Sequence, residues 1–523
     1  MTHVDEKRHI AKAAGLMSIA TFISRILGYV RDMILAFFFG ATGLSDTFFV
    51  AFRIPNLLRE LFAEGSMSAA VIPVLSEYHG RDPVEANRLV RIALTFIFIV
   101  VGIVTILGIV FAPFIVSVIA PGFINFPDKF NLTVLLTRIM FPFLLFISLA
   151  ALVMGALNTK RIFFMPAFAP VMLNIAIIAT VFILYRHLGN PIIAVAVGTV
   201  IGGFLQFAIQ TPAFFKSGYR IRPDYNFRHQ GLKKILMLIL PATLGMAVSQ
   251  INIVVSNILA SFLSGGSITY LFYSMRLTQF PIGVFGVAMG MAVLPSLSEH
   301  ARNKEYDKLR DDFSFALRLL FFITVPAMAG LIALREPIVN ILFQRGRFDY
   351  AATSGTAQAL LFYSMGIWAV VGVRVTTASF YSMQDTKTPV KVAIVALTAN
   401  IILSIILMKP LKHSGLALAN ALASGVNFAL LFFFLRQKLK RIDTWRILHS
   451  FTKTAIASFV MGVVGWMLLH GKIWQIHGGT LNKVFYLSGT IAICIMVYIS
   501  LSYLLKSEEV SYVIEMIKQK LRS

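Results

Sequence analysis

Two neighbouring segments decide the fold: Ala20-Thr-Phe-Ile-Ser-Arg-Ile-Leu-Gly-Tyr-Val-Arg-Asp-Met-Ile34 and Asp46-Thr-Phe-Phe-Val-Ala-Phe-Arg-Ile-Pro-Asn-Leu-Leu-Arg-Glu60. The chain from Ala20 to Tyr78 is apolar enough to cross a membrane twice, yet it is interrupted by charges. The charged side chains are Arg25, Arg31, Asp32, Asp46, Arg53, Arg59, Glu60 and Glu64. A charge inside a spanning helix costs roughly 3 kcal/mol on insertion scales. These residues therefore predict a polar, arginine-lined cavity within a bilayer.

The rest of the chain has the composition of a membrane protein. Of its 523 residues, 58% are hydrophobic and 13% are charged, and the mean hydropathy is +0.80. A soluble domain is nearer a quarter charged. Apolar runs of about twenty residues recur along the whole length, and each is long enough to cross the hydrocarbon core as a helix. We therefore predict an all-α polytopic membrane protein with about fourteen transmembrane helices.

The basic residues indicate how these helices are oriented. The net charge of +24 comes mostly from Lys and Arg in short loops, and alternate loops hold roughly three times as many of them as the others. Positively charged loops face the cytoplasm, so both termini are predicted to be cytoplasmic. Because no basic face is continuous, we expect no nucleic-acid binding. Arg138 and Arg318 are expected near span ends, where long side chains can snorkel to the interface.

An internal repeat divides the chain. Val71-Ile-Pro-Val-Leu-Ser-Glu-Tyr78 recurs as Val293-Leu-Pro-Ser-Leu-Ser-Glu-His300. Asn158-Thr-Lys160, followed by Pro166, is matched by Asp385-Thr-Lys387, followed by Pro389. Two matches in the same order predict two parallel halves of about six helices each, with the substrate site between them. The alternative is a chance match in a biased sequence.

Four units follow from this repeat. They are an N-terminal lobe (1–220), a C-terminal lobe (221–440), two additional transmembrane helices (441–506) and a tail (507–523). In the tail, apolar residues recur at helical spacing with lysines on other faces. It is predicted to be either an amphipathic helix on the cytoplasmic surface or a packed terminal helix.

The charges within the spans suit an anionic substrate. Arg25 and Asp32 are seven residues apart and share a helix face, whereas Arg276 and Arg374 in the second half have no acid one helical turn away. A guanidinium donates to phosphate oxygens in pairs and cannot be neutralised by deprotonation. We therefore predict that arginines hold a phosphate-bearing substrate, with Ser24 as a polar helper.

A fixed structural role is the alternative for some of these arginines. They could form interhelical ion pairs with Asp32, Asp46, Glu60 and Glu64, and Asp32 beside Arg31 fits that role best. Arg53 and Arg374 suit either role. Arg59 points away from the stripe that Arg53 shares with the acids of its helix, and is expected to be the freer charge.

Catalytic signatures are missing from the sequence. There is no Walker motif and no nucleophile set, and ten scattered histidines with the single Cys494 give no metal-ligand spacing. We predict a transporter without cofactor or metal. Transport is then driven by an ion gradient, by the membrane potential or by downstream consumption of the substrate. A charge moving in the field gains roughly 2.3 kcal/mol per 100 mV.

Several of these segments resemble one known family, the bacterial lipid II flippases MurJ (also called MviN). The resemblance covers essentially the whole chain. It is carried by Ser24-Arg-Ile-Leu-Gly-Tyr-Val-Arg-Asp32, by Asp46 to Arg59, by Phe62-Ala-Glu-Gly-Ser66, by Tyr273-Ser-Met-Arg-Leu277 and by Pro281-Ile-Gly-Val-Phe-Gly-Val287.

The resemblance implies the fold of the multidrug/oligosaccharidyl-lipid/polysaccharide exporters, with two lobes and fourteen helices in the bacterial cytoplasmic membrane. Lipid II, an undecaprenyl-pyrophosphate-linked disaccharide pentapeptide, would be moved to the outer leaflet for cell-wall synthesis. Lipid II, membrane lipids and the cell-wall synthesis machinery are the implied partners, and the last two helices would form a groove for the lipid tail. Residues important in the family fall on Arg25, Arg31, Arg59, Arg276, Asp46 and Glu64.

Two departures from the family stand out. Met275 precedes Arg276 where some relatives carry an acid, which leaves that arginine less restrained. Some members bind sodium through an acid in the seventh helix, whereas the candidates here, Asn252, Ser256 and Asn257, are neutral and make a sodium site doubtful. The alternatives are a multidrug or other lipid-linked oligosaccharide exporter on the same fold, and a scaffold that transports nothing.

Overall fold

A computed structural model describes residues 3–62, 66–476, 478–512 and 515, and in these ranges the chain is helical with no strand. Contacts divide it into two compact units, Met1–Gly265 and Gly266–Ser523. The predicted all-α class is confirmed. Glu64, which we predicted as a supporting acid, lies outside the described residues.

The first unit contains eleven helices among its described residues. They are α1 His3–Phe39, α2 Gly43–Phe62, α3 Ser66–Arg81, α4 Pro83–Val110, α5 Ala112–Ile119, α6 Pro127–Met140, α7 Pro142–Thr159, α8 Phe164–Leu184, α9 Ile193–Ala208, α10 Thr211–Lys216 and α11 Gln230–Ser261. Local sequence fixes several of their ends. At the start of α4, for example, the Asp82 side chain accepts hydrogen bonds from the backbone N–H groups of Val84 and Glu85, with Pro83 in the first turn.

The second unit contains nine further α-helices in the described ranges. They are α12 Ser267–Pro281, α13 Val287–Arg302, α14 Tyr306–Ala333, α15 Arg335–Phe343, α16 Tyr350–Ser364, α17 Ile367–Ser382, α18 Lys387–Leu439, α19 Thr444–Leu469 and α20 Thr480–Leu504. A π-helical turn, Ile282–Gly286, joins α12 to α13. In the core of this second unit, α14 packs against α17 and α19 through buried Phe and Leu side chains.

Ten helical segments of the described chain are long and apolar enough to cross a membrane. One of them, α18, is two helices joined at Lys412, whose φ of 52° and ψ of −131° are not helical. The more polar α1, α2, α3 and α11 overlap the remaining predicted spans, and their crossing of the membrane stays a prediction. These segments correspond to the fourteen predicted spans.

The two repeat matches differ in their structural setting. Pro73 and Pro295 both lie inside helices, α3 and α13, that end in charged turns. The later match is out of register. Helices α7 and α17 end in turns in which Arg161 and Gln384, respectively, have a φ of 59°. Asn158 precedes Arg161 in the chain, whereas Asp385 follows Gln384. The matching residues of the two segments therefore occupy different positions relative to these turns.

The contact boundary differs from the predicted lobe boundary. Helix α11 packs against α2, α3, α4 and α5 of the first unit, although it falls in the predicted lobe 221–440. Contact does not test an internal symmetry, so the lobe boundaries stay a prediction.

The expectation that Arg318 snorkels is wrong. This residue of α14 is 5% exposed, and its Nη1 lies 2.8 Å from both Glu508 and Glu509, just beyond α20. Glu509 also accepts hydrogen bonds from Ser450 and Ser507. Residues 508–512 are helical, so the described start of the tail is packed against the unit. Arg138, by contrast, is exposed and donates to the Ile109 carbonyl.

Candidate functional site

Helix α1 presents a fixed guanidinium at Arg31. Its Nε and Nη2 lie 3.0 and 2.7 Å from Oδ1 of Asp32, whose side chain is fully buried. Its Nη1 donates to Oδ1 of Asn174 on α8 at 3.1 Å. Three hydrogen bonds from one planar group define the orientation of the side chain. This geometry fits the structural role that the sequence suggested for Asp32.

Helix α8, which carries Asn174, is closely packed against α9. A Cβ atom at Gly202 of α9 would lie 2.8 Å from the Leu173 Cα atom, and one at Gly198 would be equally close to the Ile177 Cα atom. Small residues at such positions let two helix backbones approach. Helix α8 also contacts α1, and its buried amide at Asn174 hydrogen-bonds to that helix.

The same amide also contacts the residue next to Arg25. Nδ2 of Asn174 donates to the Ser24 carbonyl at 3.2 Å. Arg25 itself is exposed, and within the described part of the chain it has no hydrogen-bond or ion-pair partner. One side chain of α8 therefore connects the backbone beside Arg25 with the guanidinium of Arg31.

Helix α2 begins with a buried acid. Asp46 lies in the first turn, where the helix dipole favours a negative charge, and its side chain is 1% exposed. Nζ of Lys129 on α6 lies 3.2 Å from Asp46 Oδ2 and 3.9 Å from the centre of the Phe123 ring. The ammonium group thus contacts both a carboxylate and an aromatic face.

Further along α2, polar side chains form a chain of hydrogen bonds. Nε of Arg59 donates to Asn56 at 3.0 Å, Asn56 donates to Glu60 at 2.7 Å, and Gln250 of α11 donates to the other Glu60 oxygen at 2.6 Å. Asn56 is a neutral partner and offsets none of the Arg59 charge, so the expectation that Arg59 is the freer charge stays a prediction. The helix continues through Pro55.

The remaining arginines lie in less defined surroundings. Arg53 of α2 and Arg276 of α12 are half-buried, and each has an interaction partner. Arg374 of α17 is exposed, and its Cδ lies 3.5 Å from where a Cβ at Gly286 would be. Arg276 and Arg374 belong to the second unit, whereas Arg25, Arg31, Arg53 and Arg59 belong to the first.

Sequence reasoning missed the neutral partners of these charges. Asn174 hydrogen-bonds to Arg31, and both Asn56 and Gln250 hydrogen-bond to Glu60. A charged partner, Lys129, which pairs with Asp46, was missed as well. Asn174 stands alone as an amide in the apolar stretch Val171-Met-Leu-Asn-Ile-Ala176. Buried amides are usually hydrogen-bonded, and that was the available signal.

Comparison with known proteins gives consistent matches. The sequence profile described as lipid II flippase MurJ matches residues 35–488. A Vibrio cholerae protein named probable lipid II flippase MurJ is 36% identical, over 97% of this chain and 98% of that protein. The Burkholderia cenocepacia lipid II flippase MurJ is 34% identical, over 92% of this chain and 94% of that protein.

Solved structures agree with these matches. A lipid II flippase MurJ in an inward closed conformation is similar with a TM-score of 0.78 and 29% sequence identity, covering 94% of this chain and 98% of that one. An inward-facing multidrug resistance transporter of the MATE family is similar with a TM-score of 0.67 but only 16% identity, covering 82% of this chain and 98% of that one. At that identity the second likeness concerns the fold alone.

Proposed function

The chain belongs to the lipid II flippase MurJ family, and we propose that it moves lipid II from the cytoplasmic to the periplasmic leaflet by alternating access. It is a multi-pass protein of the bacterial inner membrane and a transporter, not a catalyst. In this proposal, Arg25, Arg31 and Arg59 of the first unit, with Arg276 of the second, bind the diphosphate of the substrate.

The state of Arg25 carries the proposal. An exposed guanidinium on a membrane-embedded helix needs water or an anion, since its charge is costly in lipid. Arg25 has no counter-ion within the described residues. A diphosphate offers the paired oxygens that a guanidinium binds best. The polyprenyl tail of such a substrate can stay in lipid while the head group crosses.

The neighbouring residues take supporting roles. Asp32 orients Arg31 through two hydrogen bonds to the same oxygen. Ser24 is the polar helper beside Arg25, and Asp46 with Lys129 ties the first turn of α2 to α6. Arg53 is a further candidate contact, and Glu64 keeps its proposed gating role.

Several features of the proposal come from sequence and family alone. Both termini lie in the cytoplasm, and residues 441–506 accommodate the lipid tail. The membrane potential or an ion gradient drives transport. The cell-wall synthesis machinery, which consumes the product, is the expected protein partner.

The test is transport by arginine variants. Arg25→Ala, Arg31→Ala, Arg59→Ala and Arg276→Ala are expressed in cells depleted of their own flippase, and lipid II accessible at the outer leaflet is measured. The matched control is Arg138→Ala, because Arg138 is exposed and bonded only to the Ile109 carbonyl among described residues. We expect the four variants to lose transport and the control to keep it. Normal growth and normal lipid II exposure with all four variants, at normal protein level, would refute the proposal.

A further inference from the structure

A groove lies between the end of α3 and the start of α11, and none of the arginines proposed to bind substrate lines it. Its volume is about 320 Å³, at the lower end of the range for ligand sites. It is lined by Pro73, Val74, Glu77, Lys234, Met237 and Leu238. Pro73 and Glu77 belong to the repeated Val71–Tyr78 segment, whose role the flippase proposal leaves unexplained.

The groove is charged at one end and apolar at the other. Along α3, Glu77 lies one turn beyond Pro73 and Val74, and along α11, Lys234 lies one turn before Met237 and Leu238. The two helices are therefore antiparallel at this contact, and Glu77 of α3 lies at the same end of the groove as Lys234 of α11. Lys234 Nζ lies 3.2 and 3.3 Å from the two Glu77 oxygens. The end that carries the charges is the one that loop composition predicts to be cytoplasmic.

The charged end has a surplus of positive charge. Glu77 is shared by Lys234 and by Arg81, whose Nη2 lies 3.1 Å away. The loop and helix start from 216 to 234 carry six basic residues: Lys216, Arg220, Arg222, Arg228, Lys233 and Lys234. Their one acid, Asp224, is paired with Arg88 at 3.4 Å. At the groove itself, Glu77 faces two cations, Lys234 and Arg81, and Lys233 directly precedes Lys234 in the chain, so one carboxylate does not balance the positive charge there.

We propose that this groove binds an anionic glycerophospholipid of the cytoplasmic leaflet, with its phosphate at Lys234 and Lys233 and an acyl chain along Pro73, Val74, Met237 and Leu238. Juxtamembrane clusters of basic residues attract anionic lipids. A soluble anion would leave the apolar end uncovered, and a zwitterionic lipid would not use the surplus charge.

The second copy of the repeat provides an internal comparison. Glu299 corresponds to Glu77, but it is exposed and has no lysine partner in the described chain. Its neighbour Arg302 is exposed at the end of α13. An exposed cation is therefore present at the end of both copies, whereas the Glu77–Lys234 contact belongs to the first. This makes Arg302→Gln a matched control for the loss of one positive charge.

The experiment measures lipid binding to the full-length protein in detergent by native mass spectrometry, with titrated phosphatidylglycerol and phosphatidylcholine. Lys234→Gln removes the cation, Met237→Trp fills the apolar end without changing charge, and Glu77→Gln releases Lys234. We expect Lys234→Gln to weaken phosphatidylglycerol binding about fivefold. Met237→Trp should also weaken it several-fold, whereas Glu77→Gln should strengthen it. Phosphatidylcholine binding should change little in each case.

Three results would overturn the inference. An equal loss with Arg302→Gln and Lys234→Gln would mean that the lipid binds to surface charge in general. Unchanged affinity in Met237→Trp would mean that no chain enters the groove. Displacement of the lipid by glycerol phosphate at equal concentration would point to a soluble anion. None of these readouts depends on lipid II transport, so the inference and the flippase proposal fail independently.

Discussion

Replacing Asn174 by Leu should impair transport more than it impairs folding. The Asn174 side chain is 5% exposed, and Leu is about the same size. The change therefore removes mainly the hydrogen bonds of Asn174 to Arg31 and to the Ser24 carbonyl. A hydrogen bond to a charged group contributes about 1.5–3 kcal/mol and a neutral one about 1 kcal/mol. Arg31 keeps its two bonds to Asp32, so its charge stays paired while its orientation is loosened.

If transport requires the orientation that Asn174 imposes, losing the charged bond lowers the rate. A loss of 1.5–3 kcal/mol corresponds to about a 10- to 150-fold decrease. The assay is outer-leaflet accessibility of lipid II in flippase-depleted cells, at matched protein level, with thermal unfolding of the purified variant alongside.

The control is Thr180→Val, two turns further along α8. Thr180 is also buried, but its hydroxyl bonds only to carbonyls of its own helix among the described residues. We expect this variant to transport normally. Wild-type transport by Asn174→Leu, in cells where Arg31→Ala is inactive, would show that Arg31 acts without the amide and would refute the reasoning.

Three further variants test individual ion pairs. Lys129→Gln leaves the buried Asp46 carboxylate without its ammonium partner, so we expect about 3 kcal/mol lower stability in thermal unfolding, with recovery in Lys129→Arg. Glu509→Gln should likewise lower the stability by about 3 kcal/mol, because the buried Arg318 then keeps only the exposed carboxylate of Glu508. The same change at Glu508 should lower the stability less. The hydrogen bond from Lys438 lowers the pKa of Asp385 to about 2. The stabilisation that it provides should be complete above about pH 4 and lost as the pH falls towards 2, so the difference in Tm between wild type and Lys438→Gln should shrink over that interval; a constant difference would contradict this assignment.

The sequence predicted the fold because its strongest signals are local. Apolar runs, charged loops and the breaks between them are read along the chain, and each corresponds to a helix or a helix end. Arg318 shows where this approach fails. Its position near the start of a span suggested snorkelling, but its partners, Glu508 and Glu509, are about 190 residues away in sequence. Helical periodicity shows which residues share a face, but not which distant segment covers that face.

The same limit applied to the candidate site. The sequence identified Arg25, Arg31 and Arg59 as unusual, because charge in an apolar segment is visible without a structure. It could not identify Asn174, since one amide in an apolar helix has no preferred partner until α8 is packed against α1. The neutral partner of Arg59 was missed for a related reason. A helical projection places Arg59 off the acidic stripe, yet Asn56 lies only three residues away and accepts its Nε–H at 3.0 Å.

The contrast between Arg25 and Arg31 explains how one helix can both hold its charges and offer one to a substrate. A carboxylate partner orients a guanidinium but also offsets part of its charge, as Asp32 does for Arg31. An amide orients neighbouring groups and cancels nothing. Asn174 supplies that neutral restraint to the backbone at Ser24, so the segment carrying Arg25 is held while its charge stays uncompensated within the described residues. A diphosphate would then meet one free cation and one cation fixed in orientation, and replacing the amide by Asp should weaken its binding, because a second carboxylate would compete for Arg31.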